Sequence, residues 1–180
     1  MSTRKTVIPS EVADRGVVEI EPALFRRILG HLPTGVTVIT AFGPDGPVGM
    51  AANSVVSVSL DPPLILFCPS RTSETWPTIR LAGAFCVNVM AGHHEHLVRQ
   101  FAAKEADRFS GVRHERRTTG PALADAVAWI ECTLFDEHDA GDHTIVVGRV
   151  VALDATAGAE PLVFFRGGYG SFRPLWSHNQ

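Results

Sequence analysis

No stretch of this 180-residue chain approaches the ~20 consecutive apolar residues that a bilayer-crossing helix requires, and Pro62-Pro63 interrupts the longest candidate region. Residues Met1 to Glu11 are polar, with two basic side chains and no apolar stretch behind them, so no secretory leader is expected. Basic charge is also scarce: 16 Lys and Arg stand against 19 Asp and Glu, for a net charge of −3 and a pI near 6.2. That balance offers no broad attraction to phosphate backbones or anionic lipid, which argues against nucleic acid and membrane as partners. The densest basic run, Arg113 to Arg117, is broken by His114 and Glu115 and lacks interleaved aromatics, as expected of a solvated loop. Cys68, Cys86 and Cys132 are odd in number, far apart and each set in an apolar run, which fits reduced core thiols better than a disulfide framework. The expected compartment is the cytoplasm.

Several cofactor and catalytic signatures are missing as well. No Gly-x-Gly-x-x-Gly opens a helix after a strand, so a Rossmann dinucleotide site has no support. There is no Walker A loop and no Gly-x-Ser-x-Gly elbow, which removes NTPase and α/β-hydrolase readings. His93, His94 and His96 cluster, but without a His-Glu-x-x-His pattern or cysteines at zinc spacing, and no metal is expected there. Internal repeats and low-complexity segments are absent too.

What is present suits one domain with a full core. Hydrophobic residues make up 45% and charged residues 19%, far from the composition of a disordered chain. Residues 1–20 are expected to be an arm, 21–175 the folded domain and 176–180 a tail. A helix should start at Glu21-Pro22, with Leu24, Phe25, Ile28, Leu29 and Leu32 on its apolar face. The β-branched run after Pro33, the turn Gly43-Pro-Asp-Gly46 and a second arm from Val48 to Leu60 predict a hairpin. Further strands are expected at Leu64–Cys68, Ala84–Met90, Ala126–Phe135, Thr144–Leu153 and Leu162–Phe165, with helices near Glu74–Leu81 and Glu95–Ala103. Arg108 to Gly120 reads as irregular. Six or seven strands with three or four short helices, joined by hairpin turns, predict a mostly β fold: a Greek-key barrel with peripheral helices.

Four segments are polar amid apolar surroundings: Asn53-Ser54 with Ser57 and Ser59, Ser70 to Ser73, Gly141-Asp-His143, and Arg166 to Gly170. A strand presenting amide and hydroxyl groups, followed by a hydroxyl-rich turn, suits a ring with hydrogen-bonding edges plus a phosphate. Taken singly, such turns are equally helix caps or loops, and Asp139, Asp142 and His143 are equally an acid/base set or a loop entering a strand.

In order along the chain, these blocks resemble the flavin reductase family, the NAD(P)H:flavin oxidoreductases that serve two-component monooxygenases and fold as split barrels. The resemblance runs from Phe25 to about Phe172. It is carried by Pro33-Thr-Gly-Val, Gly49-Met-Ala-Ala-Asn-Ser, Ser57-Val-Ser-Leu-Asp-Pro-Pro, Phe85-Cys-Val-Asn-Val, Gly141-Asp-His143 and Pro161-Leu-Val-Phe-Phe-Arg-Gly-Gly-Tyr, among others. It implies hydride transfer from the C4 of NADH or NADPH to N5 of FMN or FAD. It also implies a homodimer whose pockets draw on both chains, and a separate monooxygenase supplied by diffusing reduced flavin. It places Thr34, Asn53, Ser54, Val58, Ser59 and Leu60 on the flavin, with Ser70, Arg71, Thr72 and Ser73 at its phosphate. His143 falls near the nicotinamide, Arg166 and Tyr169 close the pocket, and Phe101, with Trp76, reaches a site across the interface or serves as packing. Rival readings on related barrels are a non-enzymatic flavin binder and an oxidase of pyridoxamine-type substrates.

Overall fold

The computed structural model describes residues 19–104, 107–173 and 175. The expected arm and tail therefore lie almost wholly outside the described residues. In chain order the elements are α1 (Pro22–Leu29), β1 (Thr34–Gly35), β2 (Thr37–Gly43), β3 (Gly46–Ala52), β4 (Val56–Leu60), β5 (Pro63–Phe67), α2 (Trp76–Ala82) and β6 (Ala84–Val89). A 3-10 turn (Gly92–His94), α3 (Glu95–Ala102), β7 (His114–Arg116), β8 (Pro121–Leu123), β9 (Ala128–Ala140), β10 (His143–Ala155), β11 (Leu162–Phe165) and β12 (Gly168–Ser171) complete them.

The main sheet has seven antiparallel strands in the order β3-β2-β6-β9-β10-β5-β4; β1-β11-β12 and β7-β8 form two smaller sheets. Strands β3 and β4 lie at opposite edges of the seven, yet only Asn53, Ser54 and Val55 separate them in the chain. A flat sheet would put those edges about 29 Å apart, whereas the link reaches about 14 Å at full extension. The sheet must therefore curl until its edges meet. Its two edges are not paired to each other, so the result is a barrel with a split, and Asn53-Ser54 bridges it. Ser54 Oγ accepts the Cys68 N–H at 2.9 Å and ties the bridge to the end of β5.

Alternation along β2 divides the interior in two. Ile39 and Ala41 face a cluster with Ile65, Phe67, Trp76, Ile79 and Phe85. Val38 joins a second cluster with Met90, Val98, Phe101, Leu123 and Leu162, beneath α3. Phe67 makes edge-on contacts with Trp76 (5.4 Å between centroids) and Phe85 (5.3 Å). Gly148 is required in this layer, because a Cβ there would stand 2.7 Å from Phe85 Cζ. Cys86 and Cys132 are fully buried free thiols, and burial pushes each up to about 12, which leaves them inert.

The mostly β split barrel agrees with expectation; several details do not. The run Val48–Leu60 is two strands, because the chain crosses the split at 53–55. The second helix starts at Trp76 rather than Glu74, since Ser73 Oγ accepts the Trp76 N–H (3.1 Å) and holds the preceding residues in a turn. The segment read as irregular contains β7, paired with β8, and Gly168–Ser171 continues the last hairpin as β12. Among the described residues twelve strands, several of them very short, replace the expected six or seven. Trp76 belongs to the protein's own core, at 7% exposure.

Candidate active site

Four elements converge on one cavity of about 280 Å³. Strand β3 supplies Met50 and Ala51, the loop after β5 supplies Ser70, Thr72 and Ser73, the end of α3 supplies Phe101, and the following loop supplies Lys104 and Arg108. The loop is held in shape by its own hydroxyls: Ser70 Oγ lies 2.9 Å from Thr72 Oγ1 and accepts the Thr72 N–H at 3.2 Å. Phe101 reaches the cavity because residue 49 is glycine; a Cβ there would stand 2.8 Å from the ring.

Arg108 fastens the floor. Its guanidinium donates to the Ala103 carbonyl from Nε (3.0 Å) and Nη2 (2.9 Å), to the Gly49 carbonyl at 3.0 Å, and to Thr75 Oγ1. With those donors engaged, the exposed charged side chains left at the cavity are the Lys104 cation and the Glu74 carboxylate. Sequence reasoning missed Met50, Lys104 and Arg108; the signal was Asp107-Arg108-Phe109, set in a segment without periodicity.

His143 is seventy residues away in sequence but adjacent to the hydroxyl loop in space. Residues Ser70 and His143 form an antiparallel bridge. Arg71 N–H donates to the Asp142 carbonyl (2.9 Å) and Thr144 N–H to the Pro69 carbonyl (3.0 Å). The imidazole is 45% exposed and its Nδ1 lies 2.7 Å from Asp142 Oδ1; this hydrogen bond holds the Asp142 carboxyl below its ordinary range. Arg71 does not line the cavity: its side chain is exposed and stands 3.5 Å from Asp139.

The other expected residues lie elsewhere on the single chain. Asn53 and Ser54 span the split, and Val58, Ser59 and Leu60 follow on edge strand β4, where Leu60 is 92% exposed. Thr34, Arg166 and Tyr169 gather on the small sheet, where Thr34 pairs with Phe164, Phe164 with Tyr169, and Arg166 N–H donates to the Gly30 carbonyl (2.8 Å). The Arg99 guanidinium stacks on Tyr169 at 5.1 Å. Thr34 Oγ1 is buried and, among the described residues, has no hydrogen-bond partner. A hydroxyl so placed has a donor and acceptor to offer to a ligand.

The cavity lining could hold a phosphate, since it offers three hydroxyls and a lysine beside the Glu74 carboxylate, with Phe101 and Met50 as apolar wall; Thr34 lies apart from it on the small sheet. Donor atoms of His93, His94 and Asp125 also lie within 4.8 Å of one another. That cluster has internal partners: His94 Nδ1 accepts the Ala91 N–H (3.3 Å), and Asp125 pairs with Arg113 at 2.6 Å. No helix among the described residues is long and apolar enough to cross a membrane.

Comparison with known proteins identifies the family. A flavin reductase from Pseudomonas putida is 46% identical over 158 residues, covering 87% of this chain and 93% of the relative. The reductase subunit of a flavin-dependent monooxygenase from Rhodococcus jostii is 41% identical over 169 residues, 92% of this chain and 87% of the relative. An NADH:FAD oxidoreductase from Streptomyces globisporus, solved with NAD and FAD fragments, superposes with a TM-score of 0.82 at 34% identity, over 89% of this chain and 99% of its own. Residues 29–173 match the family described as flavin reductase like domain, and the chain belongs to that family.

Proposed function

We propose that the chain is a flavin reductase that oxidises NADH, reduces FMN or FAD, and releases the reduced flavin to a separate monooxygenase. The observation that carries this reading is the stitching of the Ser70–Ser73 loop to the Asp142–His143 turn beside one cavity. It brings the Ser70, Thr72 and Ser73 hydroxyls and an imidazole together from distant parts of the sequence. When bound, the two cofactors supply the redox chemistry, a hydride passing from nicotinamide C4 to flavin N5.

The protein's share is placement. Ser70, Thr72 and Ser73 hold the flavin phosphate with Lys104, and Arg71 adds charge at the loop. Thr34, Asn53, Ser54 and the Val58–Leu60 backbone meet the ring along the split. His143, its Nδ1 oriented by Asp142, stands on the nicotinamide side, and Arg166 and Tyr169 close the pocket. No side-chain nucleophile is needed for hydride transfer between two cofactors.

A homodimer completes the site in this reading. None of the residues of α1 is buried in the single chain, although Leu24, Phe25, Ile28 and Leu29 form an apolar face. A partner chain could cover that face.

Stopped-flow mixing with NADH and each flavin tests the proposal. His143→Ala should slow flavin reduction more than it weakens flavin binding, and Ser73→Ala should mainly weaken binding. Absence of NADH oxidation above background would sink the reading, and equal losses in both steps would remove His143 from the nicotinamide side.

A further inference from the structure

Met50 sits where the barrel core ends and the candidate cavity begins. One side packs against the cluster around Ile39; the other lines the cavity beside Ser73 and Phe101. The Ser73 hydroxyl donates to Met50 Sδ at 3.9 Å, while its oxygen accepts the N–H of Trp76, the first residue of α2. The thioether thus touches the side chain that shapes the phosphate loop. Met90, by contrast, is fully buried, and Met1 lies outside the described residues.

We propose that Met50 is a peroxide-responsive site whose reversible oxidation to the sulfoxide lowers the cavity's affinity for flavin. The source of oxidant rests on the reductase reading above. Reduced flavin that leaves the protein and meets dioxygen before an oxygenase gives up an electron pair and its protons, forming hydrogen peroxide and oxidised flavin. The Met50 sulfur lone pair then attacks the peroxide O–O bond. That bond breaks, an S–O bond forms, the thioether is oxidised, and water departs. The product is polar where the thioether was apolar. Its oxygen accepts more strongly from Ser73 and projects into a cavity of about 280 Å³. Reduced flavin made in excess of what an oxygenase consumes would then throttle its own production.

The test treats the purified full-length chain with hydrogen peroxide, maps its peptides by mass spectrometry, and titrates FMN and FAD by fluorescence before and after. The peptide carrying Met50 should gain one oxygen well ahead of that carrying Met90. Flavin affinity should fall several-fold and return after treatment with methionine sulfoxide reductases. Oxidation of Met90 at the same rate, or oxidised Met50 with unchanged flavin affinity, would overturn the proposal. Met50→Leu, compared with its own untreated sample, should lose the peroxide sensitivity, and a loss equal to that of the unsubstituted chain would also overturn it. If that variant does not fold, mapping and repair of the unsubstituted chain decide the matter. Added peroxide makes these readouts independent of turnover. A chain that binds flavin but does not oxidise NADH would sink the reductase reading while the peroxide titration still reports on Met50.

Discussion

His94 shows how one side chain can set a pH limit on the whole protein. It is 3% exposed, and burial, helped by neighbouring His93, pulls its imidazole from an ordinary 6.5 down to about 4. Between those values the unfolded chain holds the proton and the folded chain does not, so stability rises with pH across that window. The penalty is absent above pH 6.5 and complete below pH 4, at about 3 kcal/mol. His94→Gln should flatten the dependence of melting temperature on pH between 4 and 6.5 relative to the unsubstituted chain. An unchanged slope would show that other groups set it. The sequence showed His93, His94 and His96 together but not which of them the fold would bury, because burial depends on Ala91, Asp125 and their neighbours closing over the ring.

Among the described elements, α1 leaves an apolar face uncovered in the single chain. Its start was readable from Glu21-Pro22, and Glu21 Oε1 and Oε2 do accept the Ala23 and Leu24 N–H groups at 3.0 and 3.1 Å. Its apolar spacing was readable too, yet Phe25 is 53% and Ile28 54% exposed. Covering those side chains by a partner removes apolar area from water at about 25 cal/mol per Å². If the proposed homodimer uses this face, Ile28→Glu should shift the protein toward monomer in analytical ultracentrifugation and slow NADH oxidation with it. A dimer that survives this change would place the interface elsewhere. The strands of the barrel were legible wherever β-branched residues ran long, as in β2, β9 and β10. The three-residue strands β7 and β8 were not, because elements so short leave no period to read.

For the molecule as a whole, Asn88 joins layers that the sequence lists far apart. It is fully buried; its Nδ2 donates to the Val38 carbonyl and to Thr40 Oγ1, both at 3.0 Å, and its Oδ1 accepts the Leu123 N–H at 2.7 Å. One side chain thus links β6 to β2 and to the small β7-β8 sheet. Asn88→Ala would leave buried polar groups unpaired, at a cost of about 3 kcal/mol. Denaturant unfolding should show the midpoint lowered, and a change within about 0.5 kcal/mol would mean that other groups or water take over the bonds.

The sequence by itself determined the local matters: a mostly β chain, the turns, the hydroxyl loop and the Gly141-Asp-His143 block, and a pattern close enough to a known family to imply flavin chemistry. These follow from propensity, period and residue type, which act over a few neighbours. Only the tertiary structure decided that Asn53-Ser54 spans a split, that Ser70 lies against His143, that Arg108 is a fastening rather than a free cation, and that α1 stands uncovered. Each of those depends on curling a seven-stranded sheet until its edges meet, and such closure is a property of the register of all the strands together.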